Sequence, residues 1–187
     1  MEISLEDSMD LKIIKVGELE ENCYIISNGK TIIIDPGDEA DKIISYLKNN
    51  KLDLDSILIT HHHFDHVGAL KDLLNYKKVA VYDISNLEEK DYNISGFNIE
   101  VIYTKGHTDD SITYYFKDYN IMFTGDFIFE GSIGRTDLGG NTIDMINSLK
   151  KIIKYNEDII IYPGHGNSTI LKNEIKNNYY FKYFNIK

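Results

Sequence analysis

One short segment of the chain concentrates side chains that bind metal ions. Residues 60–66 read THHHFDH and follow the apolar, strand-like run at 57–59. Side chains alternate between the two faces of an extended segment, so His61 and His63 point to the same side and can share one cation. His62 points to the opposite side. The pattern therefore predicts a pair of metal ligands at the end of a strand.

The last two polar residues of this segment supply a second pair of ligands. Asp65 and His66 stand at the start of residues 67–74, where apolar side chains recur at the spacing of a helix. The second pair can therefore bind a second ion beside the first, at a strand-to-helix turn. A histidine-rich tag is expected at a terminus, and a helix cap at Asp65 alone does not account for the histidines.

Three further residues of ligand type stand next to glycines at the ends of predicted strands. They are His107, Asp126 and His165. Ligand sites in mixed sheets lie at the carboxyl ends of strands, so we expect these side chains to converge on the cluster. Counting donors assigns one ion to His61, His63 and His107 and a second ion to Asp65, His66 and His165.

The remaining donor is Asp126, whose carboxylate has two oxygens and can bridge both ions. Such a bridge holds two ions roughly 3.5–4 Å apart, and a water molecule between them loses a proton near neutral pH. Two ions with nitrogen and oxygen ligands and open positions are typical of a hydrolytic centre. The absence of thiolate from this donor set favours Zn²⁺, with iron or manganese as alternatives at either position.

Apolar patterning predicts the elements that carry these donors. The chain opens with strands at 11–16, 22–27 and 30–35, the last two joined by a turn at Asn28-Gly29. Further strands are predicted at 55–60, 78–82, 97–103, 112–116, 120–123 and 158–162. Helices are predicted after a cap at Asp38, at 66–76, and after a cap at Asn141 or Thr142, where Ile143, Ile146, Leu149 and Ile153 mark the apolar face. Residues 83–95 are predicted to be an irregular connection, and 131–140 a glycine-rich loop.

Composition and charge limit the classes of protein to consider. A chain of 187 residues with 42% hydrophobic and 27% charged residues suits one globular domain, so we expect a single domain over 1–187 with a loose N-terminus at 1–10. The net charge of −10 argues against a nucleic-acid partner. The single cysteine, the lack of a long apolar run and the acidic start, which does not resemble a signal peptide, predict a cytoplasmic protein without a membrane partner.

These motifs, taken together, resemble the metallo-β-lactamase superfamily. The resemblance rests on the histidine and aspartate pattern at 61–66 with His107, Asp126 and His165, and it runs from about Leu11 to Gly166. It implies an α/β fold, a four-layered αβ/βα sandwich. Within the superfamily the chain is most similar to the glyoxalase II (hydroxyacylglutathione hydrolase) branch, on Thr60 and on GHT at 106–108, TGD at 124–126, GRTD at 134–137 and PGHG at 163–166.

The branch implies a reaction and a substrate class. It implies a dinuclear metal-dependent hydrolase of a small-molecule thioester such as a hydroxyacylglutathione, in which a hydroxide bridging two divalent ions attacks the carbonyl. Asp65 would be a metal ligand and the catalytic residue that orients the hydroxide. Arg135 and Lys105 are the basic residues nearest the ligand turns and could bind a substrate carboxylate, although Arg135 could equally pair with Asp137.

The chain departs from this branch at its C-terminus. Glyoxalase II enzymes carry a C-terminal helical domain that holds much of the glutathione, whereas 21 residues follow Gly166 here, so the resemblance implies a short form. The aromatic residues at 179–184 could line the site or close the core. Neither the oligomeric state nor the acyl group and thiol of the substrate follows from the sequence.

Other activities of the same superfamily are the alternatives. The first is a persulfide dioxygenase, which binds a single iron and shares the GRTD signature; it would use His61, His107 and Asp126, and has no need of His66 and His165. A nuclease is disfavoured by the acidic charge, and a β-lactamase by the lack of a signal peptide. A purely structural metal site would be closed, and a flavin-dependent di-iron oxygen reductase usually has Glu at the position of His63.

Overall fold

The computed structural model of the chain describes residues 9–186. The prediction of a loose segment at 1–10 therefore falls largely on residues outside the described range. Strand β1 begins at Asp10.

The first of two large sheets contains five strands in chain order. They are β1 (Asp10–Val16), β2 (Glu21–Ser27), β3 (Thr31–Ile34), β4 (Leu54–Leu58) and β5 (Ala80–Tyr82). The first three strands are antiparallel, while β3, β4 and β5 run parallel. The carboxyl ends of these three parallel strands therefore lie at one edge, and the histidine segment starts just beyond β4.

The second large sheet contains six strands in the order β13-β12-β9-β8-β7-β6. They are β6 (Asp91–Ile94), β7 (Phe97–Tyr103), β8 (Ile112–Phe116), β9 (Ile121–Gly125), β12 (Ile160–Pro163) and β13 (Thr169–Ile170). A small hairpin, β10 (Ile128–Phe129) with β11 (Ser132–Ile133), lies between β9 and β12 in the chain. Because β9 and β12 are parallel, the residues that follow them, Asp126 and His165, emerge at the same edge.

Six α-helices complete the described structure. They are α1 (Ala40–Asn49), α2 (Phe64–Val67), α3 (Leu70–Tyr76), α4 (Thr142–Ile152), α5 (Leu171–Asn177) and α6 (Tyr179–Tyr183). Within residues 9–186, none of the helices combines the length and the apolar character needed to cross a bilayer.

Three hydrophobic cores separate four layers. In β2, Ile26 faces the second sheet and packs in a core with Phe116 and Phe123, whereas Ile25 faces outward to a core with Leu47 of α1. The residues of β9 alternate in the same way, and Met122 packs outward with Met145 and Leu149 of α4. Strands buried on both faces read as nearly continuous apolar runs, as these do. The predicted four-layered αβ/βα sandwich is confirmed.

Several local predictions differ from the structure. Residues 132–133 of the predicted glycine-rich loop form β11. Residues 91–94, predicted to be irregular, form the edge strand β6, in which Ile94 is the only buried residue. The helix predicted at 66–76 is divided into α2 and α3. Asp38 does not cap α1, because Glu39 occupies that position with φ 49° and no side-chain hydrogen bond.

The helix predicted after Asn141 begins as expected, but its buried face is rotated. The side chain of Asn141 accepts a hydrogen bond from Asp144 N at 2.8 Å and caps α4. Ile143 is 73% exposed, and Met145 is buried in its place. The sequence pattern of an amphipathic helix does not determine which residue of its first turn is buried. Packing against the second sheet buries Met145 and leaves Ile143 exposed.

The aromatic tail closes a core. Phe181 of α6 and Ile186 pack in the same cluster as α4, while Tyr179 and Tyr183 are exposed and stack on each other. Up to residue 186, no residue of this tail lines the cleft described below.

Candidate metal centre

Three histidines direct one ring nitrogen each at a common point. The Nδ1 atom of His63 lies 3.2 Å from Nε2 of His61 and 3.0 Å from Nε2 of His107. Bonds of about 2.0–2.1 Å to a tetrahedral zinc ion separate its nitrogen ligands by roughly 3.3 Å. The three nitrogen atoms thus have the spacing of ligands to one ion, and we refer to these residues as the first donor group.

A second donor group lies beside the first. Its members are Asp65 and His66 from α2 and His165 from the turn after β12, and their ligand atoms all lie within 4.8 Å of one another. The Oδ2 atom of Asp65 is 3.1 Å from Nε2 of His165 and 3.8 Å from Nε2 of His66.

Asp126 lies between the two donor groups. Its Oδ2 atom is 3.5 Å from Nε2 of His107 and 3.7 Å from Nε2 of His165, and its Oδ1 atom is 3.3 Å from Nε2 of His66. One carboxylate therefore reaches both groups. The approach requires a glycine at position 164, where an added Cβ would lie 2.3 Å from Oδ1 of Asp126.

Backbone carbonyls set the tautomers of three of these histidines. The ring nitrogen remote from the site donates a hydrogen bond to a carbonyl oxygen in each case: His63 Nε2 to Leu138, His107 Nδ1 to Arg135 and His165 Nδ1 to Leu19, at 3.0, 2.7 and 3.1 Å. A carbonyl can only accept, so the proton lies on the remote nitrogen. The nitrogen that faces the site then offers a lone pair.

A buried carboxylate, Asp35, orients the two remaining histidines. It accepts hydrogen bonds from His66 Nδ1 at 2.9 Å and from Thr60 N and Oγ1 at 2.7 and 2.6 Å. The Thr60 hydroxyl oxygen in turn lies 3.1 Å from Nδ1 of His61 and accepts a hydrogen bond from it. Asp35 also clusters with His61 and His66 as a possible ligand. It contacts His66 at the remote nitrogen, however, and is linked to His61 through the Thr60 hydroxyl, so we assign it a positioning role.

Burial and neighbouring charges shift the pKa values of four of the donors. Burial lowers the pKa of His61 and of His107, which favours the neutral rings. Burial alone would raise the pKa of Asp126, but the interactions with His66, His61 and His165 together outweigh it and lower that pKa, so the carboxylate is ionised. Burial would lower the pKa of His66, but Asp126 and Asp35 outweigh it and raise that pKa. A metal ion bound at this ring would therefore displace a proton.

Two buried polar atoms of the donor set lack hydrogen-bond partners in the described part of the chain, which suits a bound cation. Among the described residues, His66 Nε2 and Asp126 Oδ1 are buried without a hydrogen-bond partner, although they lie 3.3 Å apart. Buried polar atoms without partners cost free energy, and a cation between them would satisfy both. The imidazole and carboxylate donors suit zinc, iron or manganese.

The structure thus brings all seven sequence-predicted ligands together. Of the two predicted substrate-binding residues, only Arg135 lies beside them. Arg135 lines the cleft, and its guanidinium is paired with Asp137, Nε to Oδ1 at 2.6 Å and Nη2 to Oδ2 at 2.7 Å. Lys105 is not among the lining residues; its carbonyl accepts a hydrogen bond from Ser148. His62 points away from the site and binds Asp110, as its place in the alternation predicts.

A cleft of about 690 Å³ opens over the donors. Besides five of the ligands, its lining comprises Leu19, Phe64, Phe129, Gly134, Arg135 and Leu138. Asp35 and the leucines could not be identified from sequence, since Asp35 lies in a turn-like Asp-Pro-Gly segment and the leucines accept hydrogen bonds through their carbonyls.

The turn that carries His165 is held by the first sheet. The side-chain amide of Asn22 in β2 donates hydrogen bonds to the carbonyls of Pro163 and Gly166, each at 3.0 Å, and Tyr24 OH donates to Pro163 O as well. Asn22 thus fixes both ends of the turn. This arrangement couples β2 to the second donor group.

Replacing Asn22 should therefore weaken one metal site selectively. Asn22→Asp keeps the size of the side chain but removes both hydrogen bonds, so we expect the dissociation constant of the second ion to rise by about 10–100-fold, as is common for outer partners of ligands. Titration against a chromophoric chelator measures both binding steps. The dissociation constant of the first ion should not change.

Asn178→Asp is the matched control. Asn178 is fully buried and donates to Ser132 O and Glu174, away from His165, so its loss should lower stability and leave the second binding step unchanged. An unaltered second step in Asn22→Asp, or an equal loss at both sites, would contradict the assignment.

Comparisons with known proteins agree with the fold. The sequence model described as the metallo-beta-lactamase superfamily matches residues 16–90 and 81–165. The chain is 32% identical to the probable metallo-hydrolase YqgX of Bacillus subtilis and 31% identical to the hydroxyacylglutathione hydrolase GloC of Haemophilus influenzae. Each of the two alignments covers 91% of this chain and 97% of the relative.

Solved structures show the same similarity. The BLEG-1 B3 metallo-beta-lactamase matches with a TM-score of 0.88 at 30% identity, over 91% of this chain and 99% of that one. TTHA1623 in a di-iron-bound form matches at 0.83 and 30% identity, over 90% and 99%. ETHE1 from Myxococcus xanthus also gives 0.83, at 25% identity over 91% and 83%.

Proposed function

Because the chain belongs to the metallo-β-lactamase superfamily, whose hydrolases are metal-dependent, we propose that it hydrolyses a thioester such as a hydroxyacylglutathione with two bound divalent ions. The observation that carries this proposal is the place of Asp126, whose two oxygens lie between two groups of three donors. The relative from Haemophilus influenzae, named as a hydroxyacylglutathione hydrolase, supports this choice of substrate.

The donors divide into two sets with defined tasks. His61, His63 and His107 would hold one ion, and Asp65, His66 and His165 the other, with Asp126 shared. When bound, two such ions supply an acidified water molecule and polarise the substrate carbonyl. The protein residues hold the donor atoms in place through the carbonyls and through Asp35, so the site is organised before substrate arrives.

The chemistry requires only water as co-reactant. Water adds its oxygen to the carbonyl carbon, the carbon–sulfur bond breaks, and the thiolate takes a proton, giving a carboxylic acid and a thiol. Oδ2 of Asp65 faces Nε2 of His165 at 3.1 Å within the second donor group, and the other carboxylate oxygen of Asp65 can accept a hydrogen bond from the attacking water. This contact would orient the lone pair of the water toward the carbonyl.

The direct test combines metal analysis with an assay. Purified protein should contain two metal ions per chain and hydrolyse S-lactoylglutathione. Activity should be lost on chelation and return on adding Zn²⁺, with Fe²⁺ and Mn²⁺ as the comparison ions. Full metal occupancy without hydrolysis of any thioester would contradict the proposal.

A second candidate is a single-iron persulfide dioxygenase. The similarity to ETHE1 from Myxococcus xanthus favours this alternative over the others in the superfamily. The complete second donor group, with His66 and His165 directed at Asp65 and Asp126, favours the hydrolase. One iron per chain with oxygen uptake on glutathione persulfide would establish the dioxygenase.

A further inference from the structure

The mouth of the cleft is formed by large apolar side chains. Leu19, Phe64 and Leu138 line it and are 54%, 76% and 48% exposed, and Phe129 lies beside them. Single exposed apolar residues are common, but several around one cleft mark a binding site. We call these four residues the apolar rim.

The apolar rim is fixed to the metal centre. The carbonyls of Leu19 and Leu138 accept the hydrogen bonds of His165 and His63, so the interactions that orient these ligands also place two members of the rim. Phe64 lies between His63 and Asp65 in the chain. The ring of Phe129 packs edge-on against that of His165, with 6.3 Å between centroids. A group attached directly to the reacting carbon would therefore contact the rim.

The cleft offers little to a substrate carboxylate. Arg135 is the only cationic side chain among the described residues of its lining. Its guanidinium already donates two hydrogen bonds to the carboxylate of Asp137. The carboxylates of Asp65 and Asp126 belong to the donor set, and the chain carries a net charge of −10. Both features favour an uncharged group over an anionic one.

Leu19, Phe64 and Asp65 also border a second cleft, of about 500 Å³. Its lining is more polar, with the main chain of three glycines and the carboxylates of Glu18 and Asp38. The two arms of a thioester diverge from its carbonyl carbon and can enter different clefts. The glycine main chain of the second cleft can hydrogen-bond the peptide groups of a thiol such as glutathione, and the carboxylates of this cleft can pair with the ammonium group of that thiol. The polar cleft therefore suits the thiol arm, and the apolar rim suits the acyl arm.

On the basis of the thioester hydrolysis proposed above, we propose that the apolar rim binds the acyl group and selects thioesters that carry an aromatic or branched apolar substituent next to the carbonyl. Phe64 and Leu138 are the main specificity-determining residues. Phe64 follows His63 in the chain, and the carbonyl of Leu138 accepts a hydrogen bond from the His63 ring.

The first experiment compares two substrates that differ in one group. S-mandeloylglutathione has a phenyl ring where S-lactoylglutathione has a methyl group, and we expect kcat/KM to be at least about tenfold higher for the mandeloyl compound. Phe64→Ala and Leu138→Ala should each reduce this ratio at least threefold. Ile143→Ala removes an equally exposed apolar side chain outside the cleft and should keep the ratio. A ratio near one in the unaltered protein would overturn the proposal.

A second experiment measures binding alone and does not depend on hydrolysis. Calorimetry with the metal-loaded protein compares the unreactive thioethers S-benzylglutathione and S-methylglutathione, and we expect the benzyl compound to bind about tenfold more tightly. Equal affinities, or no binding of either compound, would overturn the rim proposal even if S-lactoylglutathione is hydrolysed. Tighter benzyl binding without any thioester hydrolysis would instead support the rim and reject the proposed function.

Discussion

Asp65→Asn should lower kcat for thioester hydrolysis by about a thousandfold while at least one metal ion stays bound. The asparagine amide keeps the shape of the side chain but loses the charge that binds the second ion beside His165, 3.1 Å away. It also loses a basic oxygen that can orient water, and the loss of such a group commonly costs about 10²–10⁴-fold in rate. Steady-state kinetics with metal analysis of the same preparation measures both effects.

The control for this variant is a carboxylate outside the site. Asp53 is exposed and pairs with Lys77, so Asp53→Asn should leave kcat within a factor of two. Turnover by Asp65→Asn close to that of the unaltered enzyme would remove Asp65 from the mechanism and with it the role assigned to the second donor group.

Asp35→Asn should cost about 3 kcal/mol of unfolding free energy and most of the affinity for the second ion. The carboxylate is buried and accepts three hydrogen bonds, from Thr60 N, Thr60 Oγ1 and His66 Nδ1. An amide turns its donor nitrogen toward at least one of these donors and leaves a buried group unsatisfied. It also favours the His66 tautomer whose proton faces the site, which blocks the lone pair.

Denaturant unfolding and metal titration together measure this result. Asp55→Asn is the matched control, since Asp55 accepts from Thr31 N at 2.8 Å and from Lys30 but lies near the surface, so its loss should cost under about 1 kcal/mol. Equal destabilisation by the two variants, or an unchanged second ion in Asp35→Asn, would contradict the positioning role of Asp35.

The candidate ligands could be predicted from the sequence because their chemistry resides in the side chains. Histidines and aspartates beside glycines at strand ends are unusual, and the parallel strands β9 and β12 bring Asp126 and His165 to the same edge. The apolar runs of β2 and β4 likewise predict strands covered on both faces. These features depend on local pattern and on the geometry of parallel strands.

The rest of the site could not be predicted because it depends on tertiary packing. Leu19 and Leu138 act through their carbonyl oxygens, which every residue has, so their side chains give no sign of the role. Asp35 looks like an ordinary turn residue until Thr60 and His66 are placed around it. Strand β6 is short, polar and at an edge, so its pattern resembles that of a loop.

The central claim is that seven side chains hold two ions with Asp126 between them. Anomalous diffraction from crystals of the metal-loaded protein, recorded at the absorption edge of the bound metal, tests this most directly. We predict two peaks, one among His61, His63 and His107 and one among Asp65, His66 and His165, with a carboxylate oxygen of Asp126 close to each. A single peak, or two peaks away from Asp126, would contradict the account.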